Sequence, residues 1–93
     1  MREYELVFIA KSDLDETALT DTINKVKSWI SDAKGEVSKV DLWGKRKLAY
    51  PIRKQSEGIY VLMNVQMDPQ FGTTLERNLR FTEPVIRYLL VAK

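Results

Sequence analysis

Two stretches of this chain repeat their apolar residues at helical spacing, and each lies between stretches that alternate polar with apolar. Leu19, Ile23, Val26, Ile30 and Ala33 fall four, three, four and three residues apart, on one face of a helix, with Trp29 widening or flanking that face. Phe71, Leu75 and Leu79 form a second stripe at four-residue spacing, with Arg77 and Arg80 near the C-terminal end, where the helix dipole favours cations. Ser12 and Asp13 supply candidate oxygens to cap the first helix, with Glu16 as capping-box partner, and Gly35 is placed to end it in a positive-φ conformation. Asp68 followed by Pro69 starts the second helix with proline at its first position, and Glu83 and Pro84 stop it.

Around these helices the period is two. Residues 2–10 alternate at Glu3, Tyr4, Glu5 and Leu6 before turning apolar, which suits a central strand. Residues 36–52 read as a long second strand with Val37, Val40, Leu42, Leu48, Tyr50 and Ile52 as candidate buried or half-buried positions. Its alternation breaks near Trp43 and Gly44, where a bulge would re-aim the following residues, and Pro51 puts the strand or its end on a sheet edge. Residues 54–58 form a polar turn, and residues 59–67 a third strand with Val61, Met63, Val65 and Met67 on one side and Tyr60, Leu62, Asn64 and Gln66 on the other. In the last strand, residues 85–92, Ile86, Tyr88 and Leu90 share one face and Arg87, Leu89 and Val91 the other. The order βαββαβ predicts an α+β, ferredoxin-like fold: a four-stranded antiparallel sheet in spatial order 4-1-3-2 with both helices on one face. Ninety-three residues have room for one core, so residues 1–93 are expected to form a single domain.

Composition removes most chemistry. The chain has no histidine and no cysteine, hence no imidazole base, thiolate nucleophile, zinc knuckle or disulfide. The absence of thiols fits a reducing compartment. The N-terminal apolar run, residues 6–10, is too short for a signal peptide, and no stretch approaches the roughly 20 apolar residues that span a bilayer. Both features point to the cytoplasm, with no membrane partner. Asp13, Asp15 and Glu16 cluster where capping and the helix dipole explain them, and no carboxylate spacing suggests a metal or an acid–base pair. The four glycines are isolated, so no phosphate-cradling loop is present. An acylphosphatase-type enzyme on this fold would need a glycine-rich anion loop after the first strand, where residues 10–14 read Ala-Lys-Ser-Asp-Leu. The expectation is no enzyme, no cofactor and no small-molecule substrate.

Charge is informative once it is located. The net charge is only +2, but residues 36–54 carry six basic side chains against two acidic ones. Lys39, Lys45, Arg46, Lys47, Arg53 and Lys54 form either a solvated basic hairpin or a polyanion-binding surface. The sheet side away from the helices should carry Glu5, Val7, Ile9, Tyr60, Leu62, Asn64, Gln66, Arg87, Leu89 and Val91. Half of these are aliphatic, which favours a protein partner on that face over scattered surface residues. Residues 57–64 (EGIYVLMN) keep only Tyr60 of the aromatic pattern on which an RNA-recognition motif stacks bases. A basic hairpin of this kind suits phosphates and sugars better than base edges.

The run Gly44-Lys45-Arg46-Lys47-Leu48-Ala49-Tyr50-Pro51-Ile52-Arg53 resembles the signature of the bacterial small-subunit ribosomal protein S6 family: Gly, any residue, a base, a polar residue, Leu, Ala or Ser, Tyr, any residue, Ile and a polar residue. The opening Met1-Arg2-Glu3-Tyr4-Glu5, the element order, the length and the closing strand with Arg87 resemble the family as well. The resemblance implies a structural protein of the small ribosomal subunit that binds the central domain of small-subunit ribosomal RNA as a heterodimer with ribosomal protein S18. By matching position it implies RNA or partner contacts at Arg2, Lys45, Arg46, Lys47, Arg53 and Lys54, with Tyr60 and Arg87 at the edge of that surface. Leu48, Tyr50 and Ile52 are matched positions read mainly as packing. Several members of the family continue past the fourth strand in a polar or acidic tail, whereas this sequence ends at Lys93. The alternative from the residues alone is a ferredoxin-like interaction or ligand-sensing module without RNA binding.

Overall fold

The computed structural model describes residues 1–52 and 55–93, with the backbone alone at 51, 52 and 55. The elements are β1 (Arg2–Lys11), α1 (Glu16–Asp32), β2 (Glu36–Ile52), β3 (Gln55–Met67), α2 (Phe71–Arg80) and β4 (Val85–Ala92). The strands form one sheet in the order β2-β3-β1-β4, with every neighbouring pair antiparallel. This is the ferredoxin-like arrangement that the periodicities predict.

One side of the sheet supplies Leu6, Phe8, Ala10, Val61, Met63, Val65 and Met67 to a buried cluster that also takes Ile23, Val26 and Ile30 from α1 and Leu75 and Leu79 from α2. Both helices therefore cover the same face. Each such side chain, fully buried, contributes about 1.5–3 kcal/mol. Among the described residues the buried polar side chains are Thr22 and Thr82, which donate their hydroxyls to carbonyls four residues back, at Ala18 (3.0 Å) and Asn78 (2.7 Å).

The helix ends differ from the sequence expectations. β1 runs on to Lys11, whose N–H donates to Pro84 O at 2.9 Å, and a turn closed by Leu14 N–H to Lys11 O takes up Ser12 and Asp13. The cap of α1 is therefore Asp15, extended at φ −76° and ψ 172°, whose carboxylate accepts from the Ala18 N–H at 2.7 Å. At the other end the positive φ belongs to Lys34, at 64°, and not to Gly35. Lys34 N–H to Ser31 O (2.9 Å) and Gly35 N–H to Ile30 O (2.8 Å) form a Schellman closure. Glycine is required at 35 by space: a Cβ there would lie 2.6 Å from Gln66 O and 2.9 Å from Ile30 Cγ2. At α2, the Asp68 carboxylate accepts from Gln70 N–H at 2.9 Å, so Pro69 sits in the turn before a helix that opens at Phe71.

Strand registers hold three further differences. β3 begins at Gln55, because Glu57 and Gly58 pair with Lys47 and Arg46 where a polar turn is predicted. Leu42 and Tyr50 are 57% and 55% exposed, since the helix-covered core reaches along β2 only to Val37 and Val40. The β1–β4 register shifts between Ile9 and Ala10, whose partners are Arg87 and Val85. Ile86 is the extra residue of that bulge, and it turns away from Tyr88 and Leu90 to pack with Ile9 on the helix-free side. The register shift between Leu42 and Gly44, with Gly44 at φ 80°, matches the break read from the sequence. The candidate burial of the Ile52 side chain lies outside the described residues.

Candidate nucleic-acid interface

β2 is an edge strand in two parts. Residues 36–42 run along β3, the pairing resumes after the bulge for residues 44–47, and beyond Lys47 the strand leans over the helix-free face. Its course is fixed by Leu48, which is buried against Ile9 of β1 and Ile86 of β4 with Tyr60 packed beside them. Those contacts lie across β3 from the strand that supplies Leu48, so residues 45–50 form an arm whose first three residues are laddered to β3 and whose last three lean over the sheet. Gly58 lies beneath the same cluster, where a Cβ would sit 2.2 Å from Ile9 Cγ2.

Alternation sorts the arm's side chains. Arg46, opposite Gly58, faces the sheet together with Leu48 and Tyr50, and Lys45 and Lys47 face away. All three basic side chains are exposed. Among the described residues the ion pairs are Lys11–Glu83, Lys39–Asp41 and Lys93–Glu5, and Lys45, Arg46 and Lys47 take part in none. Their charge is thus available to a polyanion. The Arg46 guanidinium lies 5.6 Å from the centroid of the Trp43 ring, and Trp43 stacks on Tyr60 at 6.1 Å with 12° between planes. The indole thus joins Arg46 to Tyr60 and orders the root of the arm, while Trp43 itself stays 43% exposed.

On the far edge strand, the Arg87 guanidinium donates to the Tyr50 hydroxyl and lies 5.9 Å from that ring's centroid. Val7, Ile9, Leu48, Tyr50, Tyr60, Arg87 and Leu89 line a shallow groove between arm and sheet. Leu89 at its rim and Val91 beyond it remain 60% and 47% exposed on β4. Arg80, at the end of α2, donates to the Tyr88 hydroxyl at 3.4 Å, and that bond raises its already high pKa, so it stays cationic.

The arm therefore gathers Lys45, Arg46, Lys47, Tyr60 and Arg87. Arg2 stands apart: it pairs with Met67, while Ile9 pairs with Tyr60, seven positions or about 23 Å along β1. Arg53 and Lys54 lie outside the described residues. Trp43 is not among the residues that the sequence marks for this site, and Tyr50 reads there mainly as packing. The break in alternation at residues 43–44 was the available signal for Trp43.

The model of the family described as "Ribosomal protein S6" matches residues 3–92. Among curated relatives, the small ribosomal subunit protein bS6 of Clostridium acetobutylicum is 48% identical over 92 residues, covering 99% of this chain and 97% of its own. That of Caldanaerobacter subterraneus subsp. tengcongensis is 46% identical over 91 residues, with 98% and 96% covered. The crystal structure of 30S ribosomal protein S6 from Thermotoga maritima superposes with a TM-score of 0.92 at 33% identity, over 99% of this chain and 87% of that one.

Proposed function

This chain belongs to the ribosomal protein S6 family, a structural and not an enzymatic family of the small ribosomal subunit, and from that membership we propose that it binds the central domain of small-subunit ribosomal RNA together with ribosomal protein S18. Such a protein works in the cytoplasm as one folded domain of the small subunit. The observation that carries the RNA reading is the arm of β2: Lys45, Arg46 and Lys47 are exposed, free of ion pairs among the described residues, and mounted on a strand that Leu48 anchors. Fixed cations of this kind track phosphates and fit the shape of a folded RNA. Arg53 and Lys54 follow them in sequence and extend the same charge. Arg2 makes a separate contact at the other end of the sheet. The exposed Leu89 and Val91 on β4 give S18 an apolar strip beside the groove.

The test is a salt-series titration of a central-domain RNA fragment, with and without S18, against an unrelated folded RNA as competitor. Engaging about four to six phosphates gives a log-affinity versus log-salt slope of roughly −3 to −5, and changing Lys45, Arg46 and Lys47 together to Ala makes it shallower by about 2. The fold survives, because exposed charges contribute little to stability. An unchanged slope in the triple variant removes the arm from the RNA site. Equal affinity for the competitor leaves the interaction module as the better account.

A further inference from the structure

We infer that Arg87 and Tyr50 form a latch between the two edge strands, and that Arg87 serves RNA binding by positioning the basic arm and not by touching RNA. The inference rests on the RNA-binding reading above. β2 and β4 are the outermost strands of the sheet, and no backbone ladder joins them. The hydrogen bond from Arg87 to the Tyr50 hydroxyl joins them across the helix-free face, and the guanidinium lies beside the same ring. Beneath it Leu48 is buried between Ile9 and Ile86, so the arm has one polar and one apolar attachment at adjacent inward positions.

The outward lysines lie just before these attachments, at the end of the β2–β3 ladder. Lys47 precedes Leu48, and Lys45 lies two residues further back, opposite Ile59. The ladder holds Lys45, Arg46 and Lys47 opposite Ile59, Gly58 and Glu57 of β3 and then becomes irregular, since among the described residues no Cα partners fall between Lys47 and Ile52. The segment after Lys47 is therefore held by the side chains of Leu48 and Tyr50, and it closes the end of the ladder that carries the lysines. Releasing Tyr50 loosens that segment and frays the ladder end at Lys47, and the lysines then bind phosphates only after an ordering cost. Leaving Arg87 in place but unpaired keeps its charge, so the loss falls on affinity and not on the number of counterions released.

The experiment uses the full chain and three single variants, Tyr50→Phe, Arg87→Lys and Lys47→Ala, with the Tyr50→Phe/Arg87→Lys double variant. In the free protein, amide exchange of the protected amides at 45–47 and 57–59 is expected to quicken about two- to tenfold in both latch variants, the loss of roughly one hydrogen bond. Amides of Leu6, Val61 and Met63 should hold their rates. The double variant should match either single, because both remove one interaction. In the RNA titration with S18, Tyr50→Phe should weaken binding by a similar factor at unchanged salt slope, while Lys47→Ala makes the slope shallower by about 0.7–0.9.

Unaltered exchange in both latch variants overturns the inference. So does an Arg87→Ala variant that loses a full phosphate's worth of slope while Tyr50→Phe binds like the parent, since Arg87 would then be a direct contact. If the parent itself does not prefer the central-domain fragment, the RNA reading fails, and the exchange rates alone decide whether the latch exists.

Discussion

At one end of the helix-free face, Leu48 of the arm of β2 is buried with Ile9 and Ile86, whereas at the other end Glu3, Glu5, Lys39, Asp41 and Lys93 meet water and form polar pairs within and between strands. The arm end is apolar and covered by the chain's own strand. The far end is polar: Gln66 donates to Glu3 at 3.3 Å, Lys39 approaches Asp41 at 3.6 Å and Lys93 approaches Glu5 at 3.9 Å. A sheet face left bare by helices is therefore not one docking surface. Of the aliphatic residues that argue for a protein partner, Ile9 is buried under the arm, Val7 and Leu62 are half-buried, and Leu89 and Val91 on β4 stay exposed.

The contrast can be broken most directly at Ile9. If the arm seals the face in solution, Ile9→Ala lowers stability by about 2–4 kcal/mol in urea unfolding, close to the 3–5 kcal/mol expected for Phe8→Ala on the helix side. Phe8 lies in the core shared by both helices, and Ile9 in the smaller cluster under the arm. A loss below about 1 kcal/mol at Ile9 would mean that the arm stands away from the sheet and that Ile9 is as wet as a surface residue.

Gly58 sharpens the same point. A methyl group there lands 2.2 Å from Ile9 Cγ2, so Gly58→Ala must push Ile9 into Leu48 or lift the arm. Overpacking of this kind costs about 1–3 kcal/mol. The cost should shrink when Gly58→Ala is combined with Leu48→Ala, which makes room above Ile9, and thermal unfolding of the pair measures that coupling. Additive losses would show that the two residues do not share one cluster.

The fold was legible because its signals are local: helical stripes, alternation and charge are properties of neighbouring residues. Strand order, the helix-covered core and the bulge at Gly44 all follow from them. The misses share a different cause. Ile86 was assigned to the side of Tyr88, and a bulge between β1 and β4 moves it to the other side, a choice made by strand pairing that leaves no mark in the sequence of β4. Asp15 caps α1 because β1 happens to run to Lys11, and Lys34 takes the positive φ because Gly35 is needed for close packing against Gln66. At the site, Lys45, Arg46 and Lys47 are readable from charge alone. The Trp43–Tyr60 stack and the Tyr50–Arg87 bond depend on how the arm curls back over the sheet, which brings together residues 37 positions apart in the second case.

The smallest expected effect belongs to the polar end. Glu5 and Lys93 are 43% and 40% exposed at their side chains, and water competes for both groups. Glu5→Gln should change stability by no more than about 0.5 kcal/mol, and that difference should vanish as salt is raised. The register places Glu5 opposite Asn64 on β3 and Val91 on β4, so a covered polar end would bury its carboxylate between strands. Removing the charge would then shift the urea midpoint by an amount that salt does not erase. A salt-insensitive effect larger than about 1 kcal/mol would mean that this end is shielded as well, and the difference between the two ends would reduce to composition alone.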